Sequence, residues 1–135
     1  MNLIKDIVIS EFEVHSRGVT DLLAISRTSI DSKSLERIFF LLSSASDRRG
    51  AHAHISSTQW FALLNGSATL LVADGFSTQI IDISTIGSVI KIPPGIWVEV
   101  NIIQPSTIAV LTDQDYDEAD YIREWDTYKM QRGAQ

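Results

Sequence analysis

The 135 residues contain no cysteine. A disulfide framework, a thiolate zinc site, an iron–sulfur cluster and a cysteine nucleophile are therefore excluded, and histidine and carboxylate side chains remain as candidates for chemistry. Positive charge is also scarce: 11 Lys+Arg stand against 17 Asp+Glu, for a formal net charge of −6. A chain of that sign does not hold a phosphodiester backbone by bulk electrostatics, so no nucleic-acid partner is expected. Long apolar runs are missing, with nowhere about 18 uncharged apolar residues in succession. The opening Met1-Asn2-Leu3-Ile4-Lys5-Asp6 lacks a leader-like apolar stretch. These absences predict a cytoplasmic protein with no membrane partner. The 44% hydrophobic residues and 21% charged residues suit one packed core, a single domain over 1–135.

What is present is β-forming. Short stretches rich in Ile, Val and Leu are broken by turn residues about every 8 to 12 positions, the rhythm of an antiparallel sandwich or barrel. Thr58 to Leu64, Ser67 to Ala73 and Ser77 to Ile83 are separated by Asn65-Gly66 and Asp74-Gly75. Those dipeptides tolerate the positive φ of tight hairpin turns, so the three strands are expected to form a meander. Further strands are expected at Arg37 to Leu42, Ala51 to Ile55, Ser88 to Ile92, Trp97 to Ile102 and Thr107 to Leu111. Pro93-Pro94-Gly95 can only be a turn or corner, because neither proline has an N–H for a ladder. After Thr112 the composition shifts: seven acids lie between Asp113 and Asp126, while Tyr121, Ile122, Trp125 and Tyr128 recur at helical spacing. A short C-terminal helix at about 117–130 follows, its apolar stripe packed on the outside and its acids forming a solvated face matched to the helix dipole. Arg132-Gly133-Ala134-Gln135 reads as a frayed tail.

The most informative segment is Arg49-Gly50-Ala51-His52-Ala53-His54. On an extended strand His52 and His54 project the same way, roughly 6 to 7 Å apart, with Ala51 and Ala53 on the other side. Two such imidazoles can be metal ligands, a proton-transfer pair or satisfied structural residues.

This segment and its sequel resemble the two motifs of the cupin superfamily of small jelly-roll β-barrels. The first motif is met by His52-x-His54, then Gln59 in place of a glutamate, then Gly66. The second is met by Gly87, Pro93, Pro94 and Gly95, but Val98 stands where a ligand histidine belongs. An amide is a poorer ligand than a carboxylate and valine is none, so no metal is expected and proton transfer is the favoured reading. Two inward imidazoles without metal can take a proton from carbon beside a carbonyl and return it to the neighbouring carbon.

Nearly the whole chain is similar to the nucleotide-sugar 3,4-ketoisomerases, cupins that act on dTDP-4-keto-6-deoxyglucose. The likeness rests on Ser16-Arg17-Gly18, Arg49-Gly50-x-His52-Ala53-His54, Gln59, Leu64-Asn65-Gly66-Ser67, Asp74-Gly75, Trp97-x-Glu99 and the tail from Asp115 to Arg123. It implies an all-β cupin jelly roll and a cofactor-free exchange of the 4-keto and 3-hydroxyl groups through an enediol-like intermediate. His52 and His54 then shuttle protons. Arg17 and Arg49 stabilise enolate charge or hold diphosphate, Gln59 hydrogen-bonds a sugar oxygen, and Phe40, Trp97 and Val98 complete the substrate site. The resemblance also implies a homodimer, with the apolar Leu3 to Val8 segment as a strand added to a partner's sheet. Two departures stand out: relatives carry tyrosine where this chain has Phe39 and Phe40, and a polar residue where it has Val98. They support an alternative, a catalytically weakened cupin that binds a nucleotide sugar without turnover.

Overall fold

The structure, a computed structural model, describes residues 3–133. The short apolar stretches become two five-stranded antiparallel sheets packed face to face. One sheet runs, in spatial order, β1 (Val8–Glu11), β9 (Ser88–Ile92), β6 (Gln59–Asn65), β11 (Ser106–Thr112) and β4 (Arg37–Ser43). The other runs β12 (Tyr121–Ile122), β5 (Asp47–His54), β10 (Trp97–Ile102), β7 (Ala68–Ala73) and β8 (Thr78–Ile83). A separate hairpin joins β2 (Val14–Arg17) to β3 (Thr20–Leu23), and one helix, α1 (Trp125–Gln131), closes the described chain. The expected all-β fold of cupin type with a short C-terminal helix is what forms.

Alternation along the strands makes the core. Phe61 and Leu63, Leu70 and Val72, Val98 and Val100, and Ile108 and Val110 all turn inward and pack between the sheets. Each such side chain stabilises the fold by about 1.5–3 kcal/mol. The opposite faces are covered separately. Ile30, with Ile25 and Leu35 packed alongside, covers Trp60, Ala62, Val89 and Leu111 outside the first sheet. Helix α1 covers the second sheet, where buried Tyr128 packs on Ala53, Ala73 and Trp97.

Four local expectations are corrected. The three central strands are not a meander: β7 pairs with β8, but β6 lies in the other sheet, between β9 and β11. Asn65-Gly66 makes the tight turn, yet the turn carries the chain across the core. Gly66 has φ +88°, and a Cβ there would fall 2.1 Å from Ser106 Oγ. A turn signature specifies a reversal; which sheet receives the next strand is a matter of packing. At the N-terminus, Ile4 and Ile7 bury into the core and the strand starts only at Val8, after Asp6 takes φ 71°. The helix expected at about 117–130 is confined to Trp125–Gln131. Before it come a 3-10 turn at Glu118–Asp120, capped by Asp117, and the two strand residues Tyr121 and Ile122, which pair with His54 and Ala53. The open edge of β5 supplies backbone partners that outweigh helical spacing. Finally, Arg132 is not frayed, since its Nε donates to Asp74 O at 2.8 Å; Ala134 and Gln135 lie outside the described residues.

Candidate active site

One end of the sandwich is filled by aliphatic side chains and the other opens into a cavity of about 490 Å³ between the sheets. Its inner wall is apolar, with Phe39, Leu41, Phe61, Val98, Val100 and Val110 contributing. His52 and Gln59 are set into that wall, and Arg37, Arg48, Arg49 and Arg123 also line the cavity. Gln59 is buried, with no hydrogen-bond partner for its Oε1 among the described residues. Four arginines border this one cavity in a chain of net charge −6, and one of them, Arg123, is paired with Glu118.

The histidines arrive by strand geometry. His52 faces Val98 across β10, and both turn inward. His54 follows two residues later on the same face, and the rings meet at 5.0 Å between centroids and an interplanar angle of 88°. The pair is not equivalent, however. His52 lines the large cavity, whereas His54 lines a smaller pocket beside it, with Asp120 and Tyr121. Tyr121 separates the two spaces and touches both imidazoles, with centroids 4.9 Å from His52 and 4.3 Å from His54. The Arg123 guanidinium lies over the outer part of this array, 4.2 Å from the Tyr121 ring centre, and is itself held by Glu118 at 2.8 Å.

Burial governs the ionisation of both rings. Desolvation, reinforced by the neighbouring His54, lowers the His52 pKa from 6.5 to about 4. Desolvation also lowers that of His54, against the opposing pull of the Asp120 carboxylate. Both are neutral imidazoles near pH 7, able to accept a proton. Burial pushes the Asp120 carboxyl up, but the Ser57, Ser56 and His54 hydrogen bonds outweigh it and hold the group well below the usual carboxylate range.

Not every expected residue reaches this place. Arg49, Gln59 and Val98 line the cavity with His52, whereas Phe40 only borders it: Phe39 and Leu41 face the core, so the Phe40 side chain stands with Ile38 and Leu42 on the outer face of β4. Trp97 does not: its neighbour Val98 points in, so Trp97 points out, packing on Tyr128 and donating Nε1–H to Glu99 at 3.0 Å. Arg17 lies at the end of β2 in the exposed two-stranded hairpin, away from the cavity of its own chain. Ala51 and Ala53 do not share a role either, since Ala53 is buried under α1 while exposed Ala51 takes φ 63° in a bulge. The expectation of a solvated acidic face fails at Asp120, which is buried on His54. Arg37, Arg48, Asp120, Tyr121 and Arg123 are not expected as site residues from the sequence, where Tyr121 reads as part of a helical apolar stripe. Arg37 had a legible signal, the alternation that sets it inward with Phe39. Asp120 had none beyond its place in the tail motif.

Among the described residues no three His, Cys, Asp or Glu are grouped to hold an ion. Val98 brings an alkyl group opposite His52.

Comparison with known proteins gives the site its context. The family model described as FdtA: WxcM-like, C-terminal matches residues 5–133. The TDP-4-oxo-6-deoxy-alpha-D-glucose-3,4-oxoisomerase of Aneurinibacillus thermoaerophilus is 30% identical over 118 residues, covering 86% of this chain and 84% of that protein. Among solved structures, QdtA, a sugar 3,4-ketoisomerase from Thermoanaerobacterium thermosaccharolyticum in complex with TDP, superposes with TM-score 0.87 at 23% identity, covering 97% of each chain. WlaRA, a TDP-fucose-3,4-ketoisomerase from Campylobacter jejuni, superposes with TM-score 0.81 at 25% identity, covering 94% of this chain and 96% of that one. With a histidine-bearing, arginine-lined cavity at the end of a cupin sandwich, the chain belongs to the FdtA family of WxcM-like C-terminal proteins and is an isomerase of the 3,4-oxoisomerase kind.

Proposed function

We propose that the protein converts dTDP-4-keto-6-deoxyglucose to a dTDP-3-keto-6-deoxyhexose. The observation that carries this reading is the pair of neutral, contacting imidazoles, one of them on the wall of a cavity ringed by guanidinium groups. A proton leaves C3, an enediol-like intermediate forms, the proton of the C3 hydroxyl passes to the C4 oxygen, and a proton returns to C4. No electrons enter or leave, so the step needs no cofactor. His52 is the group placed to take and return the carbon-bound proton, with His54 behind it. Arg49, Arg37, Arg48 and Arg123 hold the diphosphate or the developing enolate charge. Gln59 offers its amide to a sugar oxygen, and Phe39 and Val98 shape the apolar wall.

A homodimer belongs to the same proposal. The edge strand β4 exposes Ile38, Phe40 and Leu42 at 51%, 53% and 76%, and the β2–β3 hairpin pairs with no other strand of the described chain. A second copy would cover these, and it is the route by which Arg17 could serve a cavity, since it lies away from its own. A cytoplasmic location fits a substrate whose diphosphate charge keeps it from crossing a bilayer unaided. The alternative, a binder without turnover, is favoured by the alkyl and aryl groups of Val98 and Phe39 on the cavity wall.

The test is incubation with dTDP-4-keto-6-deoxyglucose in D₂O. Turnover places deuterium in the sugar ring and yields the 3-keto isomer. Nucleotide protection against heat without exchange would replace this reading by the alternative.

A further inference from the structure

The isomerase reading uses His54 but not the carboxylate that grips it. Nδ1 of His54 lies 2.8 Å from Oδ2 of Asp120, with the two side chains only 7% and 6% exposed. The other oxygen of Asp120, Oδ1, accepts the backbone N–H of Ser56 at 2.7 Å and its hydroxyl at 2.8 Å. The main chain is fastened as well, with Ile55 N–H donating to Asp120 O at 2.8 Å and Tyr121 paired to His54. A carboxylate has no proton to give, so the contact with His54 requires the hydrogen to sit on Nδ1. Nε2 is then a bare acceptor, and it is buried without a partner among the described residues.

We propose that Asp120 is a positioning residue of the reaction: it locks His54 in the Nδ1–H tautomer, so that His54 enters each turnover able to accept a proton at Nε2. When Nε2 takes a proton, the imidazolium is paired with the carboxylate; when it gives the proton back, the lock restores the starting tautomer. This proposal rests on the isomerase reading and adds to it a residue that touches no substrate.

The Ser56 contacts make Asp120→Asn a directed test. The backbone N–H of Ser56 can only donate, so the amide oxygen of the replacement stays at the Oδ1 position and its NH₂ faces His54. An NH₂ donates to Nδ1 and forces the hydrogen onto Nε2, inverting the tautomer while keeping the shape. In nitrogen-15 spectra, wild-type His54 should be protonated at Nδ1 and D120N at Nε2. Deuterium exchange into dTDP-4-keto-6-deoxyglucose should fall by roughly 10²-fold or more in D120N, with TDP affinity changed less than about threefold. A wild-type His54 protonated at Nε2 would overturn the lock without any variant having to fold. So would native exchange by D120N, or a loss of exchange matched by an equal loss of TDP binding. A wild type with the expected tautomer but no exchange would instead overturn the isomerase reading, and the catalytic role of the lock with it.

Discussion

Arg49 and His52 lie along the same cavity wall although an odd number of positions separates them on one strand. Regular alternation would turn them to opposite faces. The register explains the exception: His52 sits opposite Val98 and Arg49 opposite Val100, while Gly50 and Ala51 together answer the single step from Val98 to Glu99. Both bulge residues take positive φ, +87° at Gly50 and 63° at Ala51. The extra residue resets the alternation, and the guanidinium comes to the histidine.

Gly50→Ala should therefore harm both stability and binding. The added Cβ would stand 3.2 Å from Val98 O at φ +87°, a conformation L side chains rarely adopt. A cost of about 1–3 kcal/mol is expected, together with a rise in KM of roughly tenfold as the Arg49 guanidinium loses its charge-assisted contact. Thermal melts and steady-state kinetics check it, and an unchanged melting point with native KM would contradict the bulge argument.

The two histidines should respond differently to the same replacement. His52→Asn should lower turnover by roughly 10²-fold or more with little effect on the melting point, because neither ring nitrogen has a partner among the described residues. His54→Asn should lower turnover and also stability, by about 1.5–3 kcal/mol, since it strips a buried carboxylate of its charge-assisted bond. Equal melting points for the two variants would refute the asymmetry.

Stability should fall with acid earlier than carboxylates alone would cause. Burial holds the His52 pKa at about 4 in the fold, against an ordinary value of 6.5. Between those values the unfolded chain binds a proton that the folded chain does not, so stability rises with pH across the window. The contribution is complete above about 6.5 and is lost as pH falls towards 4. His54, lowered too, acts in the same direction. The depressed Asp120 and Glu118 add their losses at lower pH still. Melting temperature should decline below about pH 6.5 and His52→Asn should flatten that decline; identical curves for variant and wild type would exclude His52 as its source.

Helix α1 is expected to be structural. The Tyr128 hydroxyl lies 2.9 Å from Ala73 O and 2.6 Å from Gly95 O, pinning the helix to the back of the strands that carry the site. Tyr128→Phe should cost about 1–3 kcal/mol and leave kcat within about twofold, because the ring still packs on Ala53 and Trp97. A large fall in kcat with the melting point unchanged would mean that α1 takes part in catalysis.

Much of this molecule was legible residue by residue. Ser88–Ile92 and Trp97–Ile102 form strands with the expected bounds. The His52-x-His54 spacing puts both rings on one side of a strand, and Pro93-Pro94-Gly95 turns the chain. The failures are of another kind. Trp97 was expected on the substrate and faces the helix, although alternation from inward Val98 would have placed it there. Nothing in the sequence places Arg17 on an outlying hairpin, away from the cavity of its own chain. Asp120 reads in sequence as one of a solvated acidic run and is in the fold the buried partner of a histidine 66 positions away.

Periodicity, turn chemistry and side-chain type are local, and they are enough to specify a β-rich chain with two imidazoles on one face of a strand. The assignment of β6 and β7 to opposite sheets, the bulge that recovers Arg49 and the carboxylate that settles the tautomer of His54 came only with the fold. Each depends on which distant segments share the core, and that is decided by the packing of the whole chain against itself rather than by any stretch of it.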